Sequence, residues 1–236
     1  MSDIIPQLES RSALIGTTGC GKSTLFYTLL KALRIKYPES IHLIVDSKPR
    51  FRAEFKLSGI KLRYKNMSYG DRVTGSVLIN TAEDIDIAIK RGYKVLIAQI
   101  SDDEFNVNRL SEIAFEFYKS STKKQIRWIW VDEALDFFTP SGAEVRGSTP
   151  FIIKTARAGR EKGCNLVFGA QRLKGIPMVV LESVSQLYLF HMDYTPELVR
   201  LKDMGLTITT TPKKFHEFYY WDRKNRESVR LLKLKI

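Results

Sequence analysis

Residues 16–24 read GTTGCGKST and follow a short apolar run, Ser12-Ala13-Leu14-Ile15. The spacing G-x-x-x-x-G-K-S-T between a strand and a helix suits one task, wrapping the phosphates of a nucleotide. Gly16, Thr17, Thr18, Gly19, Cys20 and Gly21 form the cradle, whose glycines let backbone N–H groups turn inward toward phosphate oxygens. Lys22 can reach the β- and γ-phosphates, Ser23 can place its hydroxyl on Mg²⁺, and Thr24 closes the motif. The helix that follows points its positive end at the same anion.

Three more groups could do chemistry on such a ligand. Residues 128–134, WIWVDEA, are an apolar strand that delivers acids to its C-terminal edge, where α/β sheets bind ligands. Asp132 would hold Mg²⁺ through water. Glu133, a second carboxylate beside the first, can accept a proton from attacking water, which hydrolysis requires. Without the phosphate loop upstream, the same pair would read equally as two acids closing a strand. Residues 165–171, NLVFGAQ, are another apolar strand, with an amide at its tip. In P-loop ATPases with an extra strand between the phosphate-loop strand and the acidic strand, such a tip approaches the γ-phosphate. Gln171 could there orient water or sense the phosphate, rather than simply end a strand in solvent. Just upstream, residues 157–163 read RAGREKG. Arg157 or Arg160, set against a neighbour's γ-phosphate, would stabilise transition-state charge. The plain alternative is a solvated helix end, where basic residues are favoured anyway.

These groups need strands that end at one edge and helices that return the chain. Residues 25–37 carry apolar side chains at helical spacing and stop at Pro38. Residues 41–46 read as a buried parallel strand. Basic and aromatic residues alternate through 49–80, where short strands and a loop are expected. Thr81 is placed to cap a helix over 82–91 that ends near Gly92. A strand is expected at 94–98, a helix at 108–120, the acidic strand at 126–133 and a helix at 149–162. Strands at 165–171 and 187–191 and a helix at 196–204 follow. The chain closes on two extended runs, 217–221 and 228–234, joined by a polar turn as a β-hairpin. Alternation of strand and helix predicts a mainly parallel sheet covered by helices on both faces.

The 236 residues suit a single motor-sized α/β domain, with 1–10 as an N-terminal arm and 213–236 as a C-terminal hairpin. No apolar run approaches the roughly 18 residues of a membrane span, and no secretory signal opens the chain, so no membrane insertion is expected. Cys20 sits in the phosphate loop and Cys164 before a buried strand, which argues against a disulfide and for a reducing compartment. The net charge of +12 favours a polyanionic partner, of which nucleic acid is the usual one.

Order and wording of the motifs together resemble the HerA–FtsK superfamily of P-loop DNA-pumping ATPases. The resemblance rests on GTTGCGKST, IVDSK at 44–48, WIWVDEA, and TARAGREKGCNLVFGAQRLKGIP at 155–177, with VRLKDMG and KKFHEFYYWD similar to that family's C-terminal part. It implies a P-loop NTPase fold of the RecA-like class. It also implies ATP and Mg²⁺ as ligands, double-stranded DNA as a sequence-independent partner, and self-association into a ring, a hexamer in the family. Lys22, Ser23 and Thr24 would bind the nucleotide and metal, Asp132 and Glu133 would be the metal-binding and water-activating acids, and Gln171 the sensor. Arg160, or else Arg157, would be the finger acting in trans. Cellular members carry further domains for which this chain has no room, and that brevity is similar to the genome-packaging ATPases of membrane-containing and archaeal viruses. Capsid or membrane proteins of a virion would then be partners, in the host cytoplasm or on the virion.

A DNA pump needs basic groups that follow phosphates without reading bases. Residues 48–72, the loop 139–146 and residues 213–235 are the candidates, the last of which could equally be an outer edge. Conjugation and DNA repair remain alternatives to packaging. A small-molecule kinase is less favoured, because Asp132, Glu133 and Gln171 point to water as acceptor. An AAA-type DNA-binding switch is less favoured because a hairpin stands where that class has a helical lid.

Overall fold

The computed structural model describes residues 2–46, 70–71, 75–98, 107–138, 151–193, 195–225 and 229–234. The expected DNA-facing loop 139–146 and nearly all of 48–72 lie outside them.

Among the described residues, ten strands form one sheet in the order β10-β9-β8-β1-β7-β6-β2-β5-β4-β3. They are β1 (Arg11–Ile15), β2 (Ile41–Val45), β3 (Gly70–Asp71), β4 (Ser76–Ile79), β5 (Val95–Ala98), β6 (Arg127–Val131), β7 (Cys164–Ala170), β8 (Gln186–Leu189), β9 (Glu217–Asp222) and β10 (Arg230–Lys233). From β4 through β8 every pairing is parallel, and β3, β9 and β10 are antiparallel to their neighbours. The expected parallel sheet with a C-terminal hairpin is therefore the observed one, and β10 is its edge.

The central strands are apolar throughout because both their faces are covered. Alternate residues serve opposite layers. Ala13, Ile15, Ile129, Val131, Leu166 and Phe168 pack with α3 (Val107–Lys119) and α4 (Phe151–Ala158). Leu14, Ile44, Trp128, Trp130 and Val167 pack with Leu25, Phe26, Leu29 and Leu33 of α1 (Lys22–Lys36). The edge helix α2 spans Glu83–Lys90, and two short helices, α5 (Met178–Ser183) and α6 (Val199–Asp203), complete the first layer.

Several boundaries differ from expectation for identifiable reasons. The first helix begins at Lys22, not residue 25, because Gly21 in the left-handed region starts it. Thr81 does not cap α2. Asp84 Oδ2 instead reaches back to accept from the backbone N–H groups of Asn80 (2.9 Å) and Thr81 (3.0 Å), just ahead of the helix. The helix expected over 149–162 ends at Ala158 and tightens into a 3₁₀ turn, Gly159–Lys162. Residues 196–204 divide likewise into a 3₁₀ turn, Thr195–Leu198, and α6. The N-terminal arm is docked: Ile4 is buried and its carbonyl accepts from the Tyr188 hydroxyl, while Gln7 bonds Gln186 and Asp222.

Both cysteines are free and buried. Burial pushes the Cys164 thiol up to about 12 and raises that of Cys20, so both are protonated packing groups. Among the described residues no helix is long and apolar enough to cross a membrane.

Candidate nucleotide site

The phosphate loop leaves β1 at the C-terminal edge of the sheet, between the ends of β7 and β8. Gly16 N–H donates to Ala170 O (3.1 Å) and Thr17 N–H to His191 O (2.9 Å), so the loop's entry is fastened to both neighbouring strands. Gly21 then takes φ 107° as the N-cap of α1, a conformation that favours glycine. Its carbonyl accepts from Leu25 N–H at 3.0 Å. The N-terminal amides of this 15-residue helix are thereby turned toward the loop's concavity.

Lys22 is folded into that concavity. Its Nζ donates to the carbonyls of Gly16 (2.5 Å) and Thr17 (2.8 Å), and the side chain is buried. A phosphate entering the loop would take over this ammonium. Cys20 does not face the ligand space. It packs with Leu14 and Phe26 in the core, with its Sγ 4.0 Å from Lys22 Nζ.

Strand β6 brings the acids to the same place. Register pairs Val131 with Phe168, which sets Asp132 beside Gly169 on β7. A β-carbon on Gly169 would lie 2.4 Å from Asp132 O, so glycine is what allows the acid-bearing turn to close on β7. One residue beyond the end of β7, Gln171 Nε2 donates to Glu133 Oε2 at 2.8 Å. The amide and the carboxylate read separately as sensor and base are thus bonded to each other.

Thr18, Gly19, Gly21, Lys22, Ser23 and Thr24 line one side of a cleft of about 300 Å³, and Asp132, Glu133 and Gln171 line the other. The cleft suits a nucleotide phosphate chain. Two of its oxygen groups, the Ser23 hydroxyl and the Asp132 carboxylate, suit Mg²⁺, which keeps several waters and takes few protein ligands. Among the described residues no group of three or more His, Cys, Asp or Glu side chains gathers as an all-protein metal cage. The remaining Mg²⁺ ligands would be the nucleotide's own phosphates and water.

Arg157 and Arg160 are not brought to this cleft. Both are exposed at the end of α4 and in the turn after it, next to the first residue of β7. The cleft lies past the last residue of β7, and this 7-residue strand is about 20 Å long. Arg160 Nε instead donates to Glu9 Oε2 at 2.8 Å in an exposed ion pair. One cleft residue has no site role in the sequence reading beyond lying in the KKFHEFYYWD run. His216, in the turn before β9, contributes to the wall. Nothing in the local pattern of residues 213–217 marks it as a cleft residue, because the phosphate loop it meets lies far away in the chain, at residues 18–24.

No family model matches the chain, and no curated protein matches it in sequence. Solved structures do. The genome packaging NTPase B204 from Sulfolobus turreted icosahedral virus 2, in complex with ATP-γ-S, is 16% identical, with a TM-score of 0.64 over 97% of this chain and 98% of that one. EssC (ATPases 2 and 3) from Geobacillus thermodenitrificans is 15% identical, with a TM-score of 0.56 over 94% of this chain and 39% of that one. The pCW3 conjugation coupling protein TcpA is 13% identical, with a TM-score of 0.54 over 95% of this chain and 59% of that one. At these identities the likeness is one of fold. The chain has a P-loop NTPase fold like that of these structures.

Proposed function

We propose that the chain is an ATP-hydrolysing motor that moves double-stranded DNA, as a viral genome-packaging ATPase working as a homo-oligomeric ring. The observation that carries this is the division of the site. Phosphate loop, acid pair and amide share one cleft, and the arginine block lies at the far end of the sheet, where only another subunit could use it. Packaging is favoured over conjugation by the higher TM-score against the packaging NTPase, 0.64 against 0.54 for the coupling protein. The net charge of +12 suits a DNA partner.

In this reading the loop amides and Lys22 hold the phosphates, and Lys22 exchanges two carbonyl partners for phosphate oxygens. Mg²⁺, held by Ser23 and Asp132, would neutralise charge building on the phosphates. Glu133 accepts the proton of the attacking water. Gln171 links that step to the γ-phosphate, because its amide nitrogen carries two N–H groups and can donate to the Glu133 carboxylate and to a phosphate oxygen together. Arg160 or Arg157 of a neighbour would add charge to the transition state and make each hydrolysis depend on the next subunit.

The test is phosphate release with and without long duplex DNA. Lys22→Ala and Glu133→Gln should abolish it with the fold intact by circular dichroism, and duplex should stimulate the wild type. Wild-type turnover in both variants would overturn the site. Release that requires a small-molecule acceptor would favour a kinase, and indifference to duplex would remove the translocase reading.

A further inference from the structure

His216 holds two main-chain bonds that clip the C-terminal hairpin to the phosphate loop. Its N–H donates to Cys20 O (3.1 Å), and its carbonyl accepts from Leu234 N–H (2.9 Å), just past β10. Its φ is +64°, and Glu9 is the other non-glycine residue with positive φ among the described residues. Side chains seldom adopt this conformation, and it persists where surrounding structure enforces it. Here it turns the imidazole onto the loop. A β-carbon on Gly21 would lie 2.7 Å from His216 Nδ1, so Gly21 is needed for the ring as well as for its own backbone. That Nδ1 is closed against Gly21, buried and without a hydrogen-bond partner, so Nε2 is the ring nitrogen left to meet a ligand. The ring also lines the cleft beside Ser23 and Thr24.

Sheet order says which part of a ligand would meet it. In the run β9-β8-β1-β7-β6, the groups for the terminal phosphate, Gln171, Glu133 and Asp132, all stand on the β7 and β6 side of the loop. His216 precedes β9, on the opposite side. A nucleotide lying along the loop with its γ-phosphate toward Glu133 turns its α-phosphate and ribose toward His216.

We propose that His216 is a nucleotide-binding residue whose imidazole hydrogen-bonds the α-phosphate–ribose end of the nucleotide, which makes the C-terminal hairpin part of the site. The proposal rests on the nucleotide reading above. It explains why a histidine is held at positive φ with its ring over the loop.

Calorimetric titration with ADP and with inorganic tripolyphosphate, each with Mg²⁺, separates the two ideas. His216→Gly keeps the left-handed backbone and removes only the ring, and thermal melting checks its fold. The expected result is a roughly tenfold weaker affinity for ADP in this variant, the size of one charge-assisted hydrogen bond. Tripolyphosphate, which has no nucleoside end, should bind wild type and variant alike. His216→Asn, which tolerates positive φ and keeps a donor, should recover part of the ADP affinity. Equal ADP affinity in wild type and His216→Gly overturns the proposal, and so does an equal loss for tripolyphosphate, which would mean that the ring acts only by shaping the loop. If the wild type binds neither probe, the nucleotide reading falls and this one falls with it.

Discussion

Lowering the pH from 7 to 5 should weaken this fold through one side chain, His42. The residue lies on β2, fully buried against Trp128 and Trp130 of β6, the strand that delivers Asp132 and Glu133. An indole N–H can only donate, and Trp130 Nε1 lies 3.1 Å from His42 Nδ1. His42 therefore carries its proton on Nε2 and donates to Ser40 Oγ at 2.8 Å, and that hydroxyl donates to Tyr37 O at 2.6 Å. Only a neutral ring satisfies the chain. Burial, and secondarily the charge of Arg34, push the imidazole from 6.5 down to about 3. Because the folded value is depressed, the unfolded chain takes up the proton first as pH falls. The stability contribution is whole above about 6.5 and is lost on the way down to about 3. Linkage gives a loss of about 2 kcal/mol between pH 7 and pH 5, and any folded value below about 4 gives nearly the same figure. Urea unfolding of wild type and His42→Gln at both pH values measures it. Glutamine can accept from the indole and donate to Ser40 without titrating. Wild type should lose about 2 kcal/mol more than the variant across that interval. Equal losses in the two proteins would refute a neutral, buried His42.

Gly169→Ala should move the acid-bearing turn, because the new β-carbon would meet Asp132 O at 2.4 Å. We expect a stability loss of about 1–3 kcal/mol by urea unfolding. Phosphate release should fall about 100-fold while calorimetric nucleotide affinity holds, and unchanged turnover would show that Asp132 tolerates displacement. A mixture of Lys22→Ala and Arg160→Ala subunits should recover phosphate release, because one supplies the arginine and the other the intact loop. A mixed rate no higher than the sum of the separate rates would remove the trans role from Arg160, and the same pairing with Arg157→Ala tests the other candidate.

What was legible in the sequence is what one stretch of chain carries by itself. The loop, the acids and Gln171 each announce themselves as polar residues directly after an apolar strand, and five to seven buried residues in a row suffice to place each strand. The bond from Gln171 to Glu133, the approach of Gly169 to Asp132 and the seat of His216 on Gly21 arise only when strands far apart in the chain become neighbours. Length hid α5, whose 6 residues are under two turns and carry no readable period. At Thr81 the expected side-chain cap is not made, and the carboxylate of Asp84 reaches back to two amides ahead of the helix, a contact that the position of Thr81 alone does not signal.

Strand β7 is hydrogen-bonded to β1 on one side and β6 on the other, and all 7 of its residues are buried. A strand so held cannot lengthen or bend apart from its neighbours, so its two ends move as one body. One end leads into Gln171, and the other begins beside the Arg160–Glu9 pair. In the proposed ring those ends would belong to different active sites, one the subunit's own and one its neighbour's. A subunit displaced by events at the neighbour's phosphate would carry that displacement, undiminished, to the amide that holds its own Glu133. The firing order around such a ring could then be kept by a single rigid rod in each subunit, with no messenger loop between sites.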